Sequence, residues 1–212
     1  SIHAQARRRL VALGVGTMAF GMADILLEPY GGQVLGLTVG STTKLTAALA
    51  LGTLVGFAWA SRILSRGFDP LRMAGLGAII GVPGFLAVIG AAPLDSPSLF
   101  VAGTVLIGFG AGLFGHGTLT ATMQLAPREQ VGLALGAWGA IQATAAGLSI
   151  ALSGVLRDLA QVALGDLPLP RGLAGAAAGY SAVYVLEVVL LVVTIAVMAP
   201  WVRRGAGVAV EG

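Results

Sequence analysis

Four side chains that can ionise or bind a metal lie inside long apolar stretches of this sequence: Asp24, Glu28, His116 and Glu187. A charge near the centre of a bilayer costs about 2.5–3.5 kcal/mol even on lenient insertion scales, so each is a functional candidate by default. Asp24 and Glu28 are four residues apart and share one helix face. Glu28 falls near an interface, where a solvated helix end explains it as well as a binding role does. Asp24 lies roughly 9 Å deeper than Tyr30 at 1.5 Å per residue, and it needs a proton, a cation or a hydrogen-bond donor. Glu187 sits at a similar depth from the same side, in the last apolar stretch. Two readings stay open for Asp24 and Glu187. They share a hydrogen bond or a polar cavity, or each finds its own Ser, Thr or backbone partner.

His116 occurs in Gly112-Leu113-Phe114-Gly115-His116-Gly117-Thr118. Neutral imidazole is the cheapest of these groups to bury and a versatile metal ligand. Gly112, Gly115 and Gly117 clear space beside the ring, and Phe114 can pack a ring edge. One imidazole suffices as axial ligand to a metal whose remaining ligands come from a planar macrocycle. It cannot build a protein-only site, which needs three or four ligands. A hydrogen-bonded core histidine is the alternative.

The elements that must hold these groups follow from composition. Of 212 residues, 57% are hydrophobic and 10% are charged, and there is no cysteine. A soluble domain carries about 25% charged residues to cover its outside. The chain is therefore no soluble enzyme, disordered segment, disulfide scaffold or thiolate metal site. It has no Ser/His/Asp order, HExxH, P-loop, GxGxxG after a strand or DxxxD pair, so no enzyme is expected. Crossing a hydrocarbon core of about 30 Å takes roughly 20 helical residues. Between the charges lie six spans, at about 10–28, 45–64, 72–93, 98–124, 131–156 and 180–202. They must be helices, because backbone in lipid has to satisfy its own hydrogen bonds and barrel-type alternation is absent. The expected class is all-α: a polytopic membrane protein, 1–212 forming one six-helix transmembrane bundle.

The basic residues cluster between spans. Arg7, Arg8, Arg9, Arg62, Arg66, Arg72, Arg128, Arg203 and Arg204 fall on one side, against Lys44, Arg157 and Arg171 on the other. This bias puts both termini in the cytoplasm and makes the basic balance a topology signal, not a nucleic-acid one. Pro29–Thr43 and Leu156–Gly179 read as long non-cytoplasmic loops, the second beginning with a helical extension through Leu159, Ala160, Ala163 and Leu164. Glycine pairs at spacing four (Gly52 and Gly56, Gly77 and Gly81, Gly108 and Gly112, Gly132 and Gly136) predict close helix packing, or a slot for a flat ligand. Pro83, beside Gly81 and Gly84, predicts a kink in the third span.

Several long motifs carry a family resemblance. Asp24-Ile-Leu-Leu-Glu28-Pro-Tyr-Gly-Gly32, Gly40-Ser-Thr-Thr-Lys-Leu-Thr46, Gly112-Leu-Phe-Gly-His116-Gly-Thr-Leu-Thr120 and Gly132-Leu-Ala-Leu-Gly-Ala-Trp138-Gly-Ala-Ile-Gln142-Ala-Thr-Ala-Ala-Gly147 resemble the PucC/LhaA-type family. Its members are major-facilitator-like membrane proteins of phototrophic bacteria that assist light-harvesting complex assembly. The resemblance implies a non-enzymatic assembly factor that binds bacteriochlorophyll, with room for a carotenoid, and delivers it to antenna alpha/beta polypeptides. It points to the bacterial inner (intracytoplasmic photosynthetic) membrane as the location. His116 would hold the pigment magnesium, with Gly112, Gly115 and Phe114 around the ring. The reaction-centre core and bacteriochlorophyll synthase are further implied partners. The alternative is a major-facilitator-type transporter or flippase of a pigment precursor, with Asp24 and Glu187 as a proton-coupled pair. Two departures bear on these readings. The chain resembles only the C-terminal six-helix half of a twelve-span family and begins with Ser1. The N-terminal six-helix half is therefore expected in the same or a sister chain. Ser61 stands where the major-facilitator signature has Asp, which weakens the charge latch of alternating access and argues against active transport.

Overall fold

The computed structural model describes the backbone of residues 2–207 and the side chains of residues 8–200. Six helices follow one another: α1 (Ile2–Gln33), α2 (Val39–Leu64), α3 (Pro70–Ala91), α4 (Pro97–Leu125), α5 (Val131–Leu164) and α6 (Ala176–Gly207), with one 3₁₀ turn at Arg128–Gln130. No strand occurs among the described residues. Each helix is long and apolar enough to cross a membrane, so the chain is an all-α, multi-pass membrane protein. The topology anchors Arg7, Arg203 and Arg204 lie outside the described side chains.

Helix ends follow local chemistry. Thr38 caps α2, its hydroxyl accepting from the Ser41 amide at 3.4 Å. Asp69 caps α3 by accepting from the Arg72 amide at 2.8 Å, and Pro70 occupies the first helical position, where no amide is needed. The turn between α2 and α3 passes through Gly67 at φ +90°, a conformation that glycine adopts without steric cost.

The expected Pro29–Thr43 loop is corrected to a short connection between Gln33 and Val39. Helix α1 continues through Pro29 because Tyr30 is anchored beyond it. Its fully buried ring lies 5.4 Å from Phe100, 5.5 Å from Tyr180 and 5.4 Å from Tyr184. Tertiary packing thus outweighs the amide that proline removes. The anticipated extension of the fifth span is present, since α5 runs to Leu164. Gln161 then fastens the start of α6, donating to the Gly175 carbonyl at 2.9 Å and accepting from the Gly179 amide at 3.0 Å. Pro83 lies within α3, which is helical on both sides of it.

Helix α4 is the centre of one packed group. A Cβ on Gly56 would lie 2.5 Å from the Phe109 carbonyl oxygen, and one on Gly112 would lie 2.5 Å from that of Thr53, so α2 and α4 meet backbone to backbone. Gly77 and Gly110 do the same for α3 and α4, with hypothetical Cβ contacts of 2.5 and 2.7 Å to each other's carbonyls. Helix α6 packs on α3, and α1 bridges α6 and α5. Three glycine pairs therefore serve close helix packing. The fourth does not: a Cβ at Gly132 or Gly136 meets nothing within 4 Å. Helices α2 and α5 are the least buried of the six spans, each with 17% of its most apolar window buried, against 50% for α1, α3 and α4.

Candidate functional site

Helices α1, α2, α4 and α5 enclose an open cleft of about 290 Å³, lined by Asp24, Thr17, Thr53, Phe114, Gly115 and Gln142 among others. Helical periodicity explains this lining. Ile107, Ala111, Phe114 and Gly115 recur at spacings of three and four on α4, as do Thr17, Phe20, Gly21 and Asp24 on α1, so each helix presents one continuous stripe. The floor is tied across helices, because the Thr17 hydroxyl donates to the Gln142 side-chain oxygen at 2.5 Å. Below it the Trp138 indole donates to the Thr118 hydroxyl at 3.3 Å, joining α5 to α4. Ser149, fully buried, donates to the Ala145 carbonyl at 2.7 Å and to that of Met18 at 3.3 Å.

Asp24 is exposed on the open side of this cleft, with no hydrogen bond among the described residues. A carboxylate facing lipid at this depth would be costly, so this side of the bundle requires water or further protein. Glu28, one turn on, is half-buried and accepts a hydrogen bond from the Thr46 hydroxyl of α2. It is thus joined across two helices instead of being merely a solvated end.

Glu187 lies elsewhere. It is fully buried within the α1–α6 packing, near the Ala23 backbone. Neither carboxyl oxygen finds a hydrogen-bond partner, and the buried hydroxyls of Tyr184, Tyr30 and Ser181 are likewise unpartnered. The shared hydrogen bond or cavity expected for Asp24 and Glu187 is corrected here: the two meet in neither, and Glu187 lies against the Ala23 backbone with no Ser or Thr partner. Glu187 has turned toward the α1–α6 seam, whereas Asp24 occupies the opposite, cleft-facing side of α1.

His116 is half-buried on α4 where that helix meets α2. Its ring stands edge-on to Phe57, with centroids 5.6 Å apart and planes at 85°. Its ring nitrogens have no hydrogen-bond partner among the described residues, so the hydrogen-bonded core histidine is not what the structure holds. The glycines around it divide. A Cβ on Gly112 would strike α2, and one on Gly117 would lie 2.6 Å from the Ala74 amide nitrogen of α3. These two serve helix packing, which corrects the expectation that they clear room beside the imidazole. Gly115 faces the cleft, where a Cβ would sit an ordinary 3.7 Å from the Phe57 ring. Phe114 is buried, with its ring 5.8 Å from that of Phe20. No group of three or more His, Cys, Asp or Glu side chains suited to a metal ion occurs among the described residues. A metal at His116 would have to arrive with its other ligands.

Sequence reasoning assigned no role to Thr17, Thr46 or Gln142. All three are polar residues inside otherwise apolar spans, and that was the available signal.

Residues 2–206 match the family described as PUCC protein. Among curated relatives, the chain is 59% identical over 194 residues to Protein PucC of Cereibacter sphaeroides, covering 92% of this chain and 41% of that protein. It is 64% identical over 157 residues to Protein PucC of Rhodovulum sulfidophilum, covering 74% and 35%. It is 53% identical over 199 residues to Protein PucC of Rhodobacter capsulatus, covering 92% and 42%. The chain thus spans about two-fifths of the length of the relatives it matches.

Proposed function

The chain belongs to the PUCC protein family, and from that premise we propose that it is one half of a membrane-embedded assembly factor for light-harvesting complexes. In this reading it holds bacteriochlorophyll and hands it to antenna alpha/beta polypeptides. The observation that carries the proposal is the His116 imidazole. It lies within a membrane span, stands at right angles to the Phe57 ring and makes no hydrogen bond to another described residue.

A bacteriochlorophyll fits this residue set as a singly ligated guest. It brings four of its metal's ligands with it and supplies light absorption, not a reaction that the protein must catalyse. His116 would hold the pigment's magnesium through a ring nitrogen, with Gly115 and Phe57 beside it. Gly112 and Phe114 would act indirectly, by setting the α2–α4 spacing and the cleft wall. A single nitrogen plus apolar contacts retains a ligand without locking it in, which suits a carrier that must release its load. A carotenoid would meet the same apolar surroundings.

The open side of α1, α2, α4 and α5, with Asp24 on it, would face the remaining part of a longer, major-facilitator-like protein. Antenna helices would dock on lipid-facing surfaces such as Val185, Val189 and Val192 of α6, which are about half exposed. The reaction-centre core and a bacteriochlorophyll synthase would be neighbours in the same photosynthetic membrane. The Arg8, Arg9, Arg62 and Arg66 end of the bundle would be cytoplasmic.

The test is an absorption spectrum of the full-length protein after gentle purification. Near-infrared bacteriochlorophyll absorption, lost in a His116→Leu variant that still inserts, is the expected result. Unchanged pigment occupancy in that variant would overturn the assignment. A second reading, transport of a small molecule through the cleft, is favoured by the polar lining of Thr17, Asp24 and Gln142. It would have to operate without Glu187, which lies outside the cleft.

A further inference from the structure

A second cavity, of about 220 Å³, opens at the Arg9 end of the bundle, between α1, α3, α4, α5 and α6. Its walls include Leu13, Ala121, Ala134 and Met198, of which Leu13, Ala121 and Met198 are at most 5% exposed. The two hydroxyl residues in the lining have already given their protons to backbone carbonyls. Thr118 donates to the Gly115 carbonyl at 3.1 Å and accepts from Trp138, while Thr122 donates to the Thr118 carbonyl at 2.9 Å. An engineered apolar cavity of about 150 Å³ stays dry and takes up benzene, and this one is larger. Arg9 is the one charged group in the lining, and the rest of the wall gives water or a polar ligand little to bond to.

We propose that this cavity is a binding site for the terminal segment of a linear hydrocarbon chain that enters from the bilayer. Its position supports this. Arg8 and Arg9 form the basic end of the first apolar span, so the cavity lies near the membrane boundary. Leu10 and Leu125, 44% and 51% exposed, also line it, so apolar side chains that reach the surface border the cavity. Small side chains at Ala12, Ala121, Ala126 and Ala134 set its width. A long flexible chain can enter such a space, and a rigid macrocycle cannot. Two sources share this chemistry: the acyl chain of a membrane phospholipid and the isoprenoid tail of an esterified pigment. The site does not depend on His116, which lines neither cavity.

The experiment uses the full-length protein in vesicles, with two photoreactive probes: palmitic acid carrying a terminal diazirine and a farnesol carrying the same group. Adducts are mapped by peptide mass spectrometry. Labelling of Leu13, Ala121 or Met198 above the level at the lipid-facing Leu54 is expected, with loss of that labelling in Ala121→Phe, which fills the space. If Ala121→Phe does not insert, Ala134→Phe fills the same space from α5. Preference for the fatty acid assigns the site to lipid, and preference for the isoprenoid assigns it to a pigment-type tail. Cavity residues labelled no more than Leu54, or labelled equally after filling, would overturn the proposal. Labelling that survives His116→Leu separates this site from the pigment reading.

Discussion

The hydroxyl of Thr17 and the side-chain oxygen of Gln142 meet at 2.5 Å across the floor of the cleft, joining α1 to α5 between residues 125 positions apart. Helix α5 buries little of its surface against this bundle, so each polar tie weighs heavily in its placement. Interhelical hydrogen bonds in membrane proteins average about 0.6 kcal/mol in double-mutant cycles. Thr17→Val and Gln142→Leu should each loosen α5, and the cycle should return a coupling of about that size. A coupling of zero in a detergent-unfolding cycle would mean that the contact carries no energy.

The glycines divide into two classes with opposite expectations. Gly112→Ala would place a methyl 2.5 Å from the Thr53 carbonyl oxygen of α2, and overpacking of this kind costs about 1–3 kcal/mol. Gly136→Ala meets nothing within 4 Å and should leave the stability of the isolated bundle unchanged or slightly raised. Thermal unfolding of the two variants side by side tests this. Equal destabilisation would contradict the packing described for α2 and α4.

Much of this was legible in the sequence. Spacing of charges gave the number of spans, and their apolar length gave the helices. Pro29 misled because a local breaker was weighed without the buried Tyr30 that holds the helix beyond it. The direction of each polar side chain was not legible. Asp24 and Glu187 sit at matching depths, yet helix rotation, set by which faces of α1 and α6 pack together, points one into the cleft and the other into the core. Likewise Gly132 and Gly136 have the same spacing as the packing pairs. Only the position of α5 at the edge of the bundle leaves them open.

Glu187 is a fully buried carboxyl without a hydrogen-bond partner. An unsatisfied buried polar group costs about 1–3 kcal/mol, and replacing it by an apolar group of similar shape is neutral or stabilising. Glu187→Met should therefore insert and match or exceed the parent in detergent stability, whereas Glu187→Lys should lower the amount inserted. Loss of stability in Glu187→Met would show that the carboxyl has a partner in the intact protein.

The chain has no cysteine, so single cysteines report water access without background from these residues. Asp24 is exposed on the cleft side, whereas Leu51 and Leu54 are apolar side chains of α2 that are 59% and 65% exposed. A membrane-impermeant maleimide needs water to reach and ionise a thiol. In the full-length protein with other cysteines removed, Asp24→Cys should react, while Leu54→Cys and the core position Glu187→Cys should not. If Asp24→Cys stays as unreactive as Leu54→Cys, protein covers this carboxylate tightly, and the cleft is an internal seam instead of a passage.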